Sequence, residues 1–476
     1  MSFERLPCEV LVIGGGPAAG TAARLLARWG RAVTVVARPA GTDPALPESL
    51  TPSCGKFFDL LEIREDIDRL GFVRSTGHTV WWGSAETRSE AFAEGAEGWQ
   101  VSSARLSEAM LDLAARAGAR VERAAVTAEE ALAWPARYRL DCTGRAGALA
   151  RAVAVRRYEP GHRTVALIGT WTGPPWPVPD PSHTLLESYV DGWAWSIPLE
   201  SGQRAVAVMV DPRVTALARG DGAKATYLAE VDKTRHLRAL TAGATLAGGP
   251  WGWDASMYST PAVTGDGWLL VGDAASFVDP LSSAGVRKAM ASAWLAAVTV
   301  NTALETPALA AAACDLFAAR EAETYRQFLA LTRRFLAEAG GPPEGVHPFW
   351  SERSEGPGTA EAAGAADRAR VERAYERIRQ APDPRLRPHP QVRVEARPTL
   401  GERRITLEPH LVTAQDPEGV RFVLDIDVVG LVRAAGAGRN VPELHAAYVA
   451  ENGPTAWPSF LTALATAVAR NWLILP

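Results

Sequence analysis

The strongest constraint on the fold lies in residues 10–36, VLVIGGGPAAGTAARLLARWGRAVTVV. A short apolar run, Glu9–Ile13, enters a glycine turn. An Ala/Leu/Arg helix over Thr21–Arg28 follows, and the β-branched run Ala32–Val36 completes a strand–helix–strand unit. In Gly14-x-Gly16-x-x-Ala19, Gly14 permits the tight turn and Gly16 admits the close approach of backbone to a pyrophosphate. Ala19 lets helix pack on strand. Pro17 and Ala18 open the helix, whose first amides and dipole favour an anion. The pattern predicts a dinucleotide site. The acid that commonly binds the ribose is missing, because VTVV runs into Ala37-Arg38. Arg38 is either a group near that ribose or a solvated surface residue.

A chain of 476 residues is too long for one simple core and suits two or three domains. Its hydrophobic share of 47% and charged share of 22% exclude bulk disorder, collagen-like structure and coiled coil. The net charge of −4 gives no electrostatic case for coating nucleic acid or a membrane surface. Cys8, Cys54, Cys142 and Cys314 are too scattered for a metal site or a disulfide framework. The N-terminal apolar stretch is too short to span a bilayer, so a cytoplasmic location is expected.

Two further segments bear on the nucleotide. Residues 268–285, WLLVGDAASFVDPLSSAG, read as a strand, Gly272-Asp273, a loop through Asp279 and Pro280, and a helix opening at Ala284-Gly285. An aspartate just after a strand can accept a hydrogen bond from a ribityl hydroxyl, and the helix start can face a flavin's electron-rich edge. A short strand ends at Asp141-Cys142-Thr143-Gly144. Taken in this order, the three motifs resemble the glutathione-reductase-like FAD fold of aromatic hydroxylases. The resemblance spans residues 8–340 and implies FAD held by Gly14, Gly16, Asp141, Thr143, Gly144, Gly272 and Asp273. The Asp-Arg pair that the family often carries before its next helix is replaced by Ser102-Ser103, with Arg105 two positions on. Arg105 either takes over a flavin contact or is a surface residue at a helix start.

Pro47-Glu48-Ser49-Leu50-Thr51-Pro52 and Gly192-Trp193-Ala194-Trp195-Ser196-Ile197-Pro198 narrow the branch. The second is similar to the W-x-W-x-I-P signature of flavin-dependent halogenases and their relatives. That resemblance implies Glu48 and Ser49 near the cofactor, and Trp82, Trp193, Trp195 and Pro198 near the substrate. It also implies a lysine that guides hypohalous acid, in the interval matched here by Leu61–Trp82. That interval contains no lysine. The chain's four lysines, Lys56, Lys224, Lys233 and Lys288, lie elsewhere, and Ser282 stands where tryptophan halogenases place a glutamate. The reading is therefore a relative that delivers hydroxyl.

Through this resemblance the chain is expected to use FAD and O₂, with a flavin C4a-hydroperoxide oxidising an electron-rich ring. Electrons come from NAD(P)H directly or through a separate flavin reductase. A base assists the attack. His78 is the first candidate and Asp279 the second, with His183, Glu187 and Asp191 also in the substrate half. The non-halogenating branch includes flavoproteins that hydroxylate a tryptophan side chain of a precursor during tryptophylquinone biogenesis. The expected partner is therefore a peptide or small protein carrying Trp, with no nucleic acid, membrane or metal. The alternatives are a halogenase or small-molecule hydroxylase, and a non-catalytic flavin-bearing maturation protein.

The expected architecture is α/β (α+β overall). An FAD-binding domain covers 1–155 plus 256–340, with 75–100 contributing to the substrate side. An antiparallel-sheet substrate domain covers 156–255. A linker or arm spans 341–401. A winged-helix-like docking domain, 402–476, is expected to carry a hairpin of Arg404–Gln415 with Val420–Asp425. Its expected core is Leu431, Leu444, Tyr448, Phe460, Leu464 and Leu473.

Overall fold

The computed structural model describes residues 6–39, 46–217, 220–339, 347–354 and 359–475. The chain divides into two compact units, residues 1–356 and 357–476.

The first unit contains a six-stranded sheet at whose centre lies Cys8–Ile13. It pairs in parallel with Val33–Ala37 on one side and Ala136–Asp141 on the other. Burial on both faces explains its uninterrupted apolar run, with Val10, Leu11 and Val12 fully inaccessible. Helix Pro17–Arg28 leaves this strand through Gly16. Pro17 occupies the first turn and no side chain caps the end, so the leading amides stay available to a ligand. Ala19, Ala22 and Ala23 are fully buried, as the close-packing role of Ala19 requires.

A second, seven-stranded sheet forms the substrate side. Its order is Thr245–Asp254, Val165–Thr172, Arg204–Val210, Gly192–Pro198, Thr184–Tyr189, Gly77–Trp81 and Arg88–Ala91. The last two strands come from the 75–100 region. Alternation along Gly192–Pro198 sends Trp193 and Trp195 to the face that meets the nucleotide half. Ala194 turns to the other face, which helices Asp221–Lys233 and His236–Thr241 cover with Tyr227, Val231 and Leu237. The expected helix-poor substrate domain thus carries two helices of its own.

Arg204 pins the signature strand. It is fully buried, and its guanidinium donates to Ser196 Oγ (3.1 Å), Pro181 O (3.0 Å) and His183 O (3.2 Å). Replacing it by methionine strands these acceptors at roughly 1–3 kcal/mol each. Arg204→Met is therefore expected to lower the urea midpoint of the first unit severely; an unchanged midpoint would show that water replaces the guanidinium.

The second unit differs most from expectation. Residues 359–400 are not an arm. Helix Thr359–Gln380 contributes Ala374 and Ile378 to the core of this unit, and Arg393–Leu400 forms a hairpin with Ile405–Val412. The expected turn at Asp416–Gly419 joins no hairpin; only Leu411 and Val420 bridge there. The Asp416 carboxylate instead receives Arg470 (2.5 Å) and the Trp472 indole (2.9 Å). Helices Val428–Ala434, Val441–Asn452 and Trp457–Ala469 complete the unit, and all six expected core residues are buried.

Candidate active site

Two cavities meet over the ends of the central strands. The first, about 640 Å³, is lined by Gly14, Gly16, Pro17 and Ala18, and by Arg38, Thr143, Gly144 and Asp273. Gly14 has φ +125°, and a side chain there would collide with the Cys142 carbonyl. A side chain on Gly16 would project into open space, which is the room a pyrophosphate needs. Glu108 and Arg123 pair across this cavity near Arg38. They put an acid and a basic group on this lining where the second strand itself supplies no acid. Glu108 lies on helix Ser103–Arg116, and no local pattern ties it to the glycine turn.

Some expected cofactor contacts have other employment. Arg105 lines neither large cavity; it donates to Leu70 O (2.7 Å) and pairs with Glu200. Ser103 and Ser107 of the same helix line the first cavity instead. Asp141 is fully buried and consumed by its own turn. It accepts from the Thr143 amide (3.0 Å) and hydroxyl (2.6 Å), and from the amides of Leu149 (2.9 Å) and Ala150 (2.8 Å). It shapes the Thr143-Gly144 wall rather than lining it. Gly272 and Ala284 are likewise buried behind the lining, while Asp273, Pro280 and Gly285 reach it.

The second cavity, about 620 Å³, shares Pro17, Ala146, Arg151, Asp273 and Ala289 with the first. Its lining includes Trp193, Trp195, Ile197, Trp253 and Phe277, together with Glu48, Ser49, Asp279 and Pro280 and with Arg145, Arg151 and Arg156. Ser49 Oγ is hydrogen-bonded to Thr184 Oγ1 at 2.8 Å. Trp82 stands behind the wall, edge-on to Trp193 and Trp350, with its indole donating to Phe335 O. Pro198 lies outside the lining.

None of the four lysines lines this cavity. Lys56 and Lys224 are exposed. Lys233 pairs with Asp191 (2.6 Å) and Glu230 (2.9 Å). Lys288 is buried, with its ammonium donating to Gly272 O and Ser276 O.

The candidate bases sort by geometry. His78 does not line the cavity; it packs edge-on against Phe92, and burial followed by the nearby His183 holds its pKa low. His183 is engaged with Thr79, Glu187 caps the amides of 235–237, and Asp191 is paired. Asp279 is in the wall, but its Oδ1 caps the Leu281 amide at 3.0 Å. Burial raises its pKa to about 6, against pull from that amide and from Arg353. Glu48 is the uncommitted acid. It lines the cavity, and burial, then the charge of Asp273, pushes it up to about 7. The sequence reading assigned Glu48 to cofactor contact alone. Its Pro47-Glu48-Ser49 setting was visible, but its lack of an ion pair in a cavity that Arg145, Arg151 and Arg156 also line was not.

A glycine cradle with free helix amides, continuous with an aromatic cavity across Asp273, defines a flavin-binding oxidoreductase. The tryptophan halogenase family model matches residues 9–133 and 104–357. The chain therefore belongs to this family of FAD-dependent enzymes. It is 29% identical over 326 residues to a tryptophan 2-halogenase of Chondromyces crocatus, covering 62% of this chain and 61% of that protein. It is 26% identical over 373 residues to the flavin-dependent halogenase armH3 of Armillaria mellea, covering 68% and 73%. Among solved structures, the chondrochloren halogenase CndH aligns at 27% identity and TM-score 0.67 over 77% of this chain and 90% of that one. The halogenase CmlS aligns at 20% identity and TM-score 0.77, over 99% and 96%. The peptidyl tryptophan dihydroxylase QhpG aligns at 24% and TM-score 0.67, over 95% and 97%. No helix among the described residues is long and apolar enough to cross a membrane.

Proposed function

We propose that this protein is an FAD-dependent monooxygenase that hydroxylates an aromatic ring, the side chain of a tryptophan in a peptide or small protein precursor. One observation carries the reading: the tryptophan-walled cavity receives no lysine from anywhere in the chain. An ammonium is the group this family's halogenases need to guide hypohalous acid. Bound and reduced, FAD supplies activated oxygen there. The protein's share is to orient the ring and exclude water. Trp193, Trp195, Trp253 and Phe277 offer flat apolar surfaces against which an indole stacks. As oxygen adds to a ring carbon, the hydrogen on that carbon leaves as a proton. Glu48 accepts it, being a wall carboxyl engaged in neither a hydrogen bond nor an ion pair, whereas Asp273 is paired with Lys288. Asp279 keeps the Pro280–Ser282 turn in place. Electrons reach the flavin from NAD(P)H, directly or through a separate reductase. On this reading the substrate is a peptide, as the name of QhpG, a peptidyl tryptophan dihydroxylase of like fold, suggests, and the second unit is a docking module for it.

The test is incubation of the reduced holoenzyme with tryptophan-containing precursor peptides, with chloride or bromide present or omitted. The expected product carries one or two added oxygen atoms on Trp in both conditions. A halogen isotope pattern would make the protein a halogenase, and its dependence on halide would overturn the reading given to the missing lysine.

A further inference from the structure

Lys288 is unusual in this chain. All but four of its 50 basic residues are arginine, yet the cation buried beside Asp273 is lysine. Lys288 sits in the first turn of helix Gly285–Glu305 with a side chain only 1% exposed. Its ammonium donates to Gly272 O (3.2 Å) and Ser276 O (2.5 Å) and stands 3.5 Å from Asp273 Oδ1. One turn along the helix, Ser292 Oγ accepts the Gly272 amide at 2.8 Å. From the other side of the turn, the Tyr258 hydroxyl donates to Asp273 O at 2.5 Å. Behind Lys288, buried Glu321 of helix Ala310–Ala339 adds a second acid that faces both Lys288 and Ser292.

The backbone on either side of Asp273 is therefore gripped from two directions. Asp273 Oδ1 is buried and accepts no hydrogen bond, while its side chain forms the junction of the two cavities. We infer that Lys288 is a positioning residue for the flavin cofactor. It clamps the Gly272–Ser276 turn and holds the Asp273 carboxylate where the nucleotide cavity passes into the tryptophan-walled one. A compact ammonium with three donors fits two carbonyls and a carboxylate converging on one point; a planar guanidinium does not. This explains why lysine is kept here in an arginine-rich chain. The inference needs only the family's flavin binding and is independent of which ring is oxidised.

The experiment is a double-mutant cycle on FAD affinity, read from flavin fluorescence during titration of the deflavinated full chain. Lys288→Met is expected to weaken FAD binding by about 10–100-fold, the range seen when a partner that orients a ligand-holding group is removed. The melting temperature of the FAD-free protein is measured alongside it. In an Asp273→Asn background the same change is expected to cost only a few-fold, because the group through which Lys288 acts is already neutral. Lys288→Arg, which keeps the charge, is expected to lose affinity as Lys288→Met does, and it completes the cycle where the methionine variant does not accumulate as folded protein. FAD binding by Lys288→Met equal to wild type would overturn the inference. So would a loss that persists undiminished in Asp273→Asn, since Lys288 would then act on the fold alone.

Discussion

Glu48→Gln is expected to lower turnover by about 10²–10⁴-fold, the usual share of a positioned acid–base group, while leaving the flavin site able to fill. The substitution keeps the shape of the side chain and removes its ability to take a proton. The pH dependence supplies the sign. Glu48 must be ionised to accept the proton, and burial with Asp273 nearby raises its pKa from 4.5 to about 7. Wild-type single-turnover rates should therefore climb as pH rises through about 7, and Glu48→Gln should lose this limb. Stability runs the opposite way. A folded-state pKa above the unfolded one contributes stability that is fully present below the unfolded value and lost as pH rises through the folded one. The cofactor-free protein should thus lose stability between about pH 4.5 and pH 7 through this group, and Glu48→Gln should not. A variant that retains the rate would return the proton to Asp279, whose pKa of about 6 places its limb lower.

Gly14→Ala is expected to yield protein without flavin. The residue sits at φ +125°, where a side chain is strained, and its methyl group would drive into the Cys142 carbonyl and the Thr143 amide. Both belong to the wall opposite the glycine turn. The strand cannot yield locally, because the Cys142 amide is tied to Ile13 O and the Gly14 amide to Val36 O. Relief must come from separating the strands that frame the cradle, so cofactor binding and global stability fall together. Absorbance of the purified variant near the flavin bands and its thermal midpoint test this directly; a yellow, normally melting variant would show that the turn relaxes. Gly16→Ala is a milder change, since its Cβ meets open space and competes only with the ligand.

Local pattern reached a long way in this chain. The glycine turn, the strand–helix–strand unit, the Gly272-Asp273 turn and the alternating tryptophans are set by neighbours within a few residues. The helix expected to open at Ala284-Gly285 begins at Gly285 for the same reason. The second unit's core spacing was legible because helical periodicity depends on side chains three and four apart. Its hairpin was misplaced because two candidate turns lie within a dozen residues. The choice between them rests on where Arg470 and Trp472 deliver their donors, more than 50 residues away.

What the sequence determined by itself was therefore the class of cofactor and the absence of a halide-guiding lysine in the expected interval. Both are properties of short contiguous segments. Tertiary structure alone decided which charged groups face the cavities. Asp141 is consumed by the amides of its own turn, and Glu187, His183 and Arg105 by hydrogen bonds or ion pairs to distant segments. Glu48 is left without a partner because the three-stranded sheet of Pro47–Leu50, Gly98–Ser102 and Val73–Ser75 presents it to a space lined by tryptophan. Whether a carboxyl is free to act depends on what surrounds it in three dimensions, and long-range contacts, set by packing, leave no local trace in the chain.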